Sequence, residues 1–318
     1  MADDLERRVR SARALEHQVA GHDGVLATAD GLIVKPCTDT EVQFYRLVTA
    51  TEEHRDVASF LPEFHGAVRL GEDGPRLVGP EDGNKREVQN ILFDCVGGFC
   101  PVPDDASAHA VILENLLQGF RKPSVMDVKL GTQLYDEFCS EEKKERMREA
   151  ARITTSLTLG LRITGMKVKR AYVVYDPSKS GYTVYDKSFG KGLTADNLHF
   201  GFSRYMEPAA LRSSAYMRLV ARVFLDRLVE LHSVMLLKEF RMYASSVLFV
   251  FEGDPSPEHV SAAENDWDTS REGLAQIVAL LKMIDFAHSY HKPGEGPDEG
   301  HLLGLSNAIK QFRNLLDR

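Results

Sequence analysis

Three places in the sequence put ionisable side chains where a strand should carry apolar ones or end. The run KPSVMDVKLG, residues 122–131, reads as a strand through Val125, Met126, Val128 and Leu130, yet it holds Asp127 and Lys129 two residues apart. Successive strand side chains turn to opposite faces, so Asp127 and Lys129 share one face and Val128 and Leu130 the other. A structural ion pair at a strand end satisfies that spacing. So does a site that needs a charge acceptor beside a charge donor. Lys35 ends the apolar run GLIVK, and Asp285 follows Met283-Ile284 in MIDFAHS. An acid at the end of a buried strand is costly unless it is paired or binds a cation. Taken together these are the parts of phosphoryl transfer. One lysine holds nucleotide phosphates, a carboxylate holds magnesium, and a second carboxylate with a lysine manages the attacking hydroxyl and the moving charge. The order, lysine first and the acids later, follows the general kinase layout. There is no Gly-x-x-x-x-Gly-Lys-Ser/Thr loop, no His-Arg-Asp, no Asp-Phe-Gly and no Gly-x-Gly-x-x-Gly, which argues against an ordinary protein kinase.

The elements that must position these groups are legible in part. Residues 24–36 read as a hairpin turning at Asp30-Gly31, with Lys35 on its second strand. Residues 38–48 read as a helix capped by Thr38 or Asp39, with Val42, Tyr45, Leu47 and Val48 as its apolar face. Strands are expected in GAVRLG, EVQNILFDCV and HAVILENL, then in LRITGMKV, RAYVVYD and YTVYDKS, with KSGY as the turn between the last two. A charged helix is expected over 140–158, opened by Ser140, and one amphipathic helix over 208–238 with Leu211, Met217, Val220, Phe224, Leu228, Leu231 and Met235 as its stripe. ASSVLFVFEGD and IVALLKMIDFAHS read as late strands joined by a polar loop, and residues 301–318 as a closing helix. The N-terminal MADDLERRVRSARALEHQ reads as a short amphipathic helix. A strand-rich first part and a mixed second part suggest two lobes with a cleft between them, divided at 1–116 and 117–318.

Bulk properties narrow the classes. The chain has 318 residues, 43% hydrophobic and 27% charged, enough for two lobes with a real core. No apolar run approaches the ~20 residues of a membrane span. A net charge of -8 argues against direct nucleic-acid binding by the whole chain, though not against one local basic pocket. The four cysteines (Cys37, Cys95, Cys100 and Cys139) form no Cys-x-x-Cys pair and read as reduced structural thiols. With no heptad pattern, a monomer is expected.

PSVMDVKLG fits the Pro-x-x-x-Asp-x-Lys-x-Gly signature of the inositol polyphosphate kinases through Pro123, Asp127, Lys129 and Gly131. ASSVLFVFEG resembles that family's Ser-Ser-Leu-Leu segment through Ser245, Ser246 and Leu248, with Val247 in place of one leucine. IDFAHS resembles its Ile-Asp-Phe-Ala segment through Ile284, Asp285, Phe286 and Ala287. HQVAGHDG and SFGKGL are similar to further landmarks, in family order. The resemblance implies an α+β, two-lobed, protein-kinase-like fold with a short inositol-binding helix, and ATP-dependent phosphorylation of inositol phosphates. It implies that Lys35 contacts ATP phosphates, that Glu114 and Leu116 in ILENL offer backbone groups to adenine, and that Leu248 and Ile284 line the nucleotide pocket. It implies Asp285 as the Mg2+ ligand, Lys129 as stabiliser of the transferring group, and Asp127 as the group that orients or deprotonates the acceptor hydroxyl or contacts the ribose. An unperturbed carboxylate is a weak base for an alcohol, which leaves positioning as Asp127's alternative role.

The helix after the signature, CSEEKKERMREAARI, places Lys143 three residues before Arg146, while Glu141, Glu145 and Glu149 form a stripe of their own. Charge pattern alone favours a solvated helix with mixed ion pairs. The family's inositol-binding segment lies here, which implies that Lys143 and Arg146 clamp phosphates and that His288 contacts substrate. The short spacing between Gly131 and Leu161 resembles the family's multikinase branch, with inositol trisphosphate taken to tetrakis- and pentakisphosphate. A hexakisphosphate kinase, and a nuclear scaffold binding transcription factors with secondary catalysis, are the alternatives. Nuclear and cytoplasmic residence follows from the resemblance alone.

Overall fold

The computed structural model describes residues 12–14, 25–69, 76–77, 109–170, 181–264 and 278–317. Six strands, β1 (Arg13–Ala14), β2 (Leu26–Ala27), β3 (Leu32–Cys37), β4 (Phe64–Arg69), β5 (Arg76–Leu77) and β6 (His109–Glu114), form one antiparallel sheet in the order β1-β2-β3-β6-β4-β5. The hairpin of β2 and β3 turns where the sequence places it. Gly31 sits at φ 89°, a conformation that a Cβ would strain, and the Thr28 hydroxyl bonds the Asp30 carboxylate at 2.5 Å. Alternation on β3 sends Leu32 and Val34 to a small cluster with Val68, Ala110 and Ile112. It sends Lys35 and Cys37 to the opposite face, toward α1 (Asp39–Ala50). Thr38 caps α1 by accepting from the Glu41 N–H at 3.2 Å. A 3-10 turn, Glu52–His54, and a short α2 (Arg55–Ala58) follow.

Next come β7 (Pro123–Leu130), α3 (Glu141–Arg152), α4 (Thr155–Leu159), β8 (Leu161–Lys169), β9 (Tyr182–Tyr185), α5 (Lys187–Lys191), α6 (Leu198–Arg212) and α7 (Ser214–Met235). They are followed by β10 (Phe240–Met242), β11 (Ser246–Glu252), α8 (Pro257–Glu264), β12 (Ala279–Ile284), β13 (Ser289–His291) and α9 (Glu299–Leu316). A second antiparallel sheet runs β12-β11-β7-β8-β9, and β10 pairs with β13 alone. The result is an α+β fold.

Several elements depart from the sequence reading. The 140–158 helix is two: Thr154 turns its hydroxyl back onto the Ala150 carbonyl at 2.8 Å and then caps α4, so the chain bends between them. The 208–238 helix begins earlier, at Leu198, and breaks at Ser213, whose extended backbone and hydroxyl start α7 afresh. Pro208 lies inside α6, and Leu211, placed on the apolar stripe, is exposed. The strand at 182–188 stops at Tyr185, because the Asp186 side chain caps α5. The loop after Glu252 contains α8, started by proline at its first position with the Ser256 hydroxyl accepting from the His259 N–H at 3.3 Å. Arg13-Ala14 is strand rather than helix. Most of the N-terminal segment, EVQNILFDCV, RAYVVYD after its Arg170, GHDG, Cys95 and Cys100 lie outside the described residues.

The rear of the second sheet is the main core. Met126 and Val128 of β7, Phe249 and Phe251 of β11 and Leu281 and Met283 of β12 face α6, α7 and α9. Phe224 of α7 meets Phe249 at 5.2 Å and Phe312 of α9 at 5.3 Å. Each such fully buried ring contributes about 2–3 kcal/mol. That rear packing fixes the strand register, and the register decides which side chains appear on the front.

Candidate active site

Strand pairing assembles the front face. Asp127 pairs with Leu248, and Lys129 pairs with Ser246, which pairs in turn with Ile284. Asp285 is the next residue, at the strand's end with φ 65°, a left-handed conformation that few non-glycine residues adopt. Strain of that kind concentrates at working sites. Leu248 and Ile284 are half-buried on strands that are otherwise mostly buried, so this face offers an accessible aliphatic surface beside Asp127 and Asp285.

Lys35 reaches the same place from the first sheet. Its ammonium bonds Asp285 Oδ1 at 2.7 Å and Glu41 Oε1 at 2.8 Å. Burial alone would pull this lysine's pKa down, but Asp285 and Glu41 more than reverse it and hold it well above the ordinary value. Glu41 is 1% exposed, and the same Oε1 accepts from the Phe286 N–H at 3.2 Å. Phe286 stacks on Phe44 at 4.6 Å, which docks α1 against the segment carrying Asp285. Sequence reasoning missed Glu41. The available signal was an acid one helical turn past the Thr38 cap, on the same face as Tyr45.

Asp127 and Lys129 share a face, as the alternation requires, but Lys129 donates to the Ala244 carbonyl at 2.6 Å instead of bonding the carboxylate. Among the described residues Asp127 has no ion-pair partner, and its buried Oδ1 has no hydrogen-bond partner. A structural ion pair is therefore not the reason for the Asp-x-Lys spacing. Burial, then Asp285, raise the Asp127 pKa, while Lys129 works against them. Two carboxylates that repel each other, one with an orphaned oxygen, form a set that a divalent cation fits.

Arg162 was also missed. It lies opposite Lys129 across β7 and β8, and burial lowers its pKa while Asp127 opposes that shift. A half-buried guanidinium with no ion-pair partner among the described residues adds a third cation to this face. Its signal was Leu161-Arg162-Ile163, a charge alternating with core residues.

On α3 the predicted mixture of ion pairs is real but selective. Lys144 pairs with Glu141, Arg148 with Glu145 and Arg152 with Glu149. Lys143 and Arg146, the two cations singled out from the sequence, have no ion pair among the described residues. At the far end of the β6 segment, Glu114 donates its N–H to the Glu63 carbonyl at 3.0 Å, and its carboxylate accepts from the Glu63 N–H at 3.0 Å. Its N–H is thus committed, and only its carbonyl remains to offer a ligand. Leu116 is buried just beyond.

His288 does not stand alone. Its Nδ1 lies 2.5 Å from Asp136 Oδ2, which also accepts from the Tyr290 hydroxyl at 2.9 Å. Asp136 Oδ1 accepts the N–H groups of Phe138 and Cys139, both at 3.0 Å, just before the Ser140 cap of α3. Although burial opposes it, these bonds hold the Asp136 carboxyl at about 2. The depressed value sets the sign. The contribution is fully present above the ordinary value of 3.8 and is lost as pH falls from there through about 2. Asp136→Ala should lower unfolding stability by about 3 kcal/mol at pH 7, and Asp136→Asn by less than half of that. Urea midpoints of the three proteins at pH 7 and at pH 2 test this, since the differences should largely vanish at the lower pH.

The inositol polyphosphate kinase family profile matches residues 110–313. The chain is 31% identical to an inositol polyphosphate multikinase of Saccharomyces cerevisiae, over 96% of this chain and 98% of the relative. It is 29% identical to an inositol hexakisphosphate kinase 3 of Mus musculus, over 75% of this chain and 61% of the relative. Among solved structures, the S. cerevisiae inositol phosphate multikinase Ipk2 in complex with ADP and Mn2+ superposes with a TM-score of 0.68 at 30% identity, covering 90% of this chain and 99% of that one.

Proposed function

This chain belongs to the inositol polyphosphate kinase family, and from that premise we propose that it moves the terminal phosphoryl group of ATP to free hydroxyls of inositol trisphosphate, giving tetrakis- and then pentakisphosphate. The observation that carries the reading is the convergence of Lys35, Asp285 and Asp127 on one face, supplied by two separate sheets. We assign residues 1–116 to a nucleotide-binding lobe and 117–318 to a lobe that binds the acceptor.

In this reading the adenine lies between Leu248 and Ile284 and the end of β6. The Glu114 carbonyl and the Leu116 backbone are its hydrogen-bonding edge. Lys35, held straight by Glu41, binds the phosphates. Asp285, with Asp127 beside it, holds the divalent cation. Bound there, Mg2+ neutralises charge on the phosphates. The acceptor hydroxyl sits against Asp127, which orients it and takes its proton as it attacks. Lys129 and Arg162 stabilise the charge that spreads over the transferring group. Lys143 and Arg146 clamp the acceptor's other phosphates, and His288, oriented by Asp136, contributes a further contact.

The test is product analysis with Mg-ATP and inositol trisphosphate. Sequential appearance of tetrakis- and pentakisphosphate is expected. The double variant Lys143→Ala/Arg146→Ala should raise the KM for trisphosphate about 30-fold with the KM for ATP unchanged, each lost phosphate contact being about 1–2 kcal/mol. Similarity to a hexakisphosphate kinase favours a second acceptor. Faster turnover of hexakisphosphate than of trisphosphate would replace the multikinase reading, and turnover of neither would remove both.

A further inference from the structure

Away from the phosphoryl-transfer face, three metal-binding side chain types meet where the 3-10 turn after α1 packs on β13. Glu53, His54 and His291 each bring one ligand atom to within 4.8 Å of the other two. His54 is 2% exposed, yet its Nδ1 has no hydrogen-bond partner. A buried ring nitrogen without a partner is normally eliminated or satisfied, because its desolvation is uncompensated. His54 is held between Phe240, at 4.9 Å, and His291, at 5.0 Å with the rings 79° apart. Two imidazoles on one tetrahedral ion, with bonds of ~2.0–2.1 Å, have ring centroids roughly 5.2 Å apart, so the observed pair already stands near that spacing.

We propose that Glu53, His54 and His291 form a binding site for a zinc-class divalent transition metal, separate from the magnesium site at Asp285. Two imidazoles and one carboxylate suit zinc, and a tetrahedral ion keeps a fourth position for water. Closing the ligand atoms onto such an ion requires movement of about 1.5 Å at most, available to the exposed Glu53 and half-buried His291. The nearby cation, Lys238, is already engaged. Its ammonium bonds Asp56 at 2.9 Å and the Glu53 carbonyl at 2.6 Å. An ion here would tie the end of α1 to β13. Since α1 carries Glu41 and packs on β13, the ion would stiffen the junction that aligns Lys35 with Asp285.

The test uses the full chain, stripped of metal and free of nucleotide, titrated with zinc and with cobalt(II) as the spectroscopic probe. One equivalent should bind with a Kd on the order of 1 μM, with the visible bands of tetrahedral cobalt. Saturating zinc should raise Tm by about 5 °C. His291→Ala and Glu53→Gln should each weaken binding at least tenfold, and His291→Ala should abolish the Tm rise. These two carry the test should a variant at buried His54 fail to fold. His288→Ala, in the separate cluster of Asp136, Cys139 and His288, should bind zinc as the wild type does. Zinc binding unchanged in His291→Ala, binding lost in His288→Ala instead, or no binding at 100-fold the expected Kd each overturns the proposal.

Discussion

Lys35→Met should lower unfolding stability by about 3–5 kcal/mol and abolish measurable phosphoryl transfer. The substitution removes the ammonium that Glu41 and Asp285 share. Glu41, 2% exposed in its side chain, is the one that cannot escape to water, while Asp285 at 25% is partly relieved by solvent. Removing one partner of a buried pair exposes the desolvation penalty of what remains, and that penalty is larger than the net value of the intact pair. The expected fall in Tm is on the order of 10 °C. Adding Glu41→Gln to Lys35→Met should recover a large part of the stability and none of the turnover, since the amide needs no counter-ion but cannot hold a phosphate. The pH dependence separates this effect from others. Lys35 has a raised folded pKa, so its contribution is complete below the unfolded value of 10.5 and is lost only as pH rises through the higher folded one. Between pH 5 and 9 the wild-type contribution of this ammonium should therefore be constant. Urea melts of the single and double variants across that range decide it. A Lys35→Met protein as stable as the wild type would show that the two acids do not depend on this ammonium.

Period-two alternation made Asp127 and Lys129 legible, and the family resemblance added Leu248 and Ile284 beside them. Asp127, Lys129, Leu248 and Ile284 lie on one face because the rear of their strands is a packed core, and a packed core fixes register. Lys35 could be read as the charge that ends the apolar run GLIVK. Glu41 and Arg162 had local signals that did not by themselves point to the site. Each is a charged residue whose meaning lies in a partner across the fold: Glu41 in Lys35 and Phe286, Arg162 in Lys129 and Asp127. Asp136 was opaque too, since an Asp in a polar connection looks like turn chemistry until His288 and Tyr290 arrive from more than 150 residues away. Helix ends failed in one direction. Ser213 and Thr154 each begin a helix with a side-chain oxygen, and hydrophobic periodicity ran straight over them, while Ser256 begins one where the sequence read as a polar loop. The break at Thr154 has a consequence for function. It ends α3 soon after Arg146, so the helix that carries the two unpaired cations is anchored at its start, by Asp136 and Ser140, more than along its length.

Asp127→Asn should reduce turnover about 10³-fold and make the metal-free protein more stable at pH 7.5, by about 1 kcal/mol. The two effects have one origin. Burial first, then Asp285, raise the Asp127 pKa, and Lys129, Thr164 and Ser246 only partly oppose them. For an acid with a raised folded pKa the ionised form is the disfavoured one. The cost is absent below the ordinary value of 3.8, grows as pH rises through the folded pKa, and is complete above it. Asparagine keeps the shape without the charge, so the variant's advantage should be largest at pH 7.5 and shrink as pH approaches 4. A divalent cation should reverse the order. Mg2+ with nucleotide relieves the repulsion between Asp127 and Asp285 in the wild type and has less to relieve in the variant, so the wild-type Tm should climb further on loading. Differential scanning fluorimetry of both proteins, with and without Mg-nucleotide, at pH 4.5, 6 and 7.5 reads all three trends. A variant that is less stable at pH 7.5, or that keeps turnover within tenfold of wild type, would mean that the orphaned Oδ1 of Asp127 is neither a stored cost nor a reacting group. The front face would then have to be assigned its chemistry from Lys35, Lys129, Arg162 and Asp285.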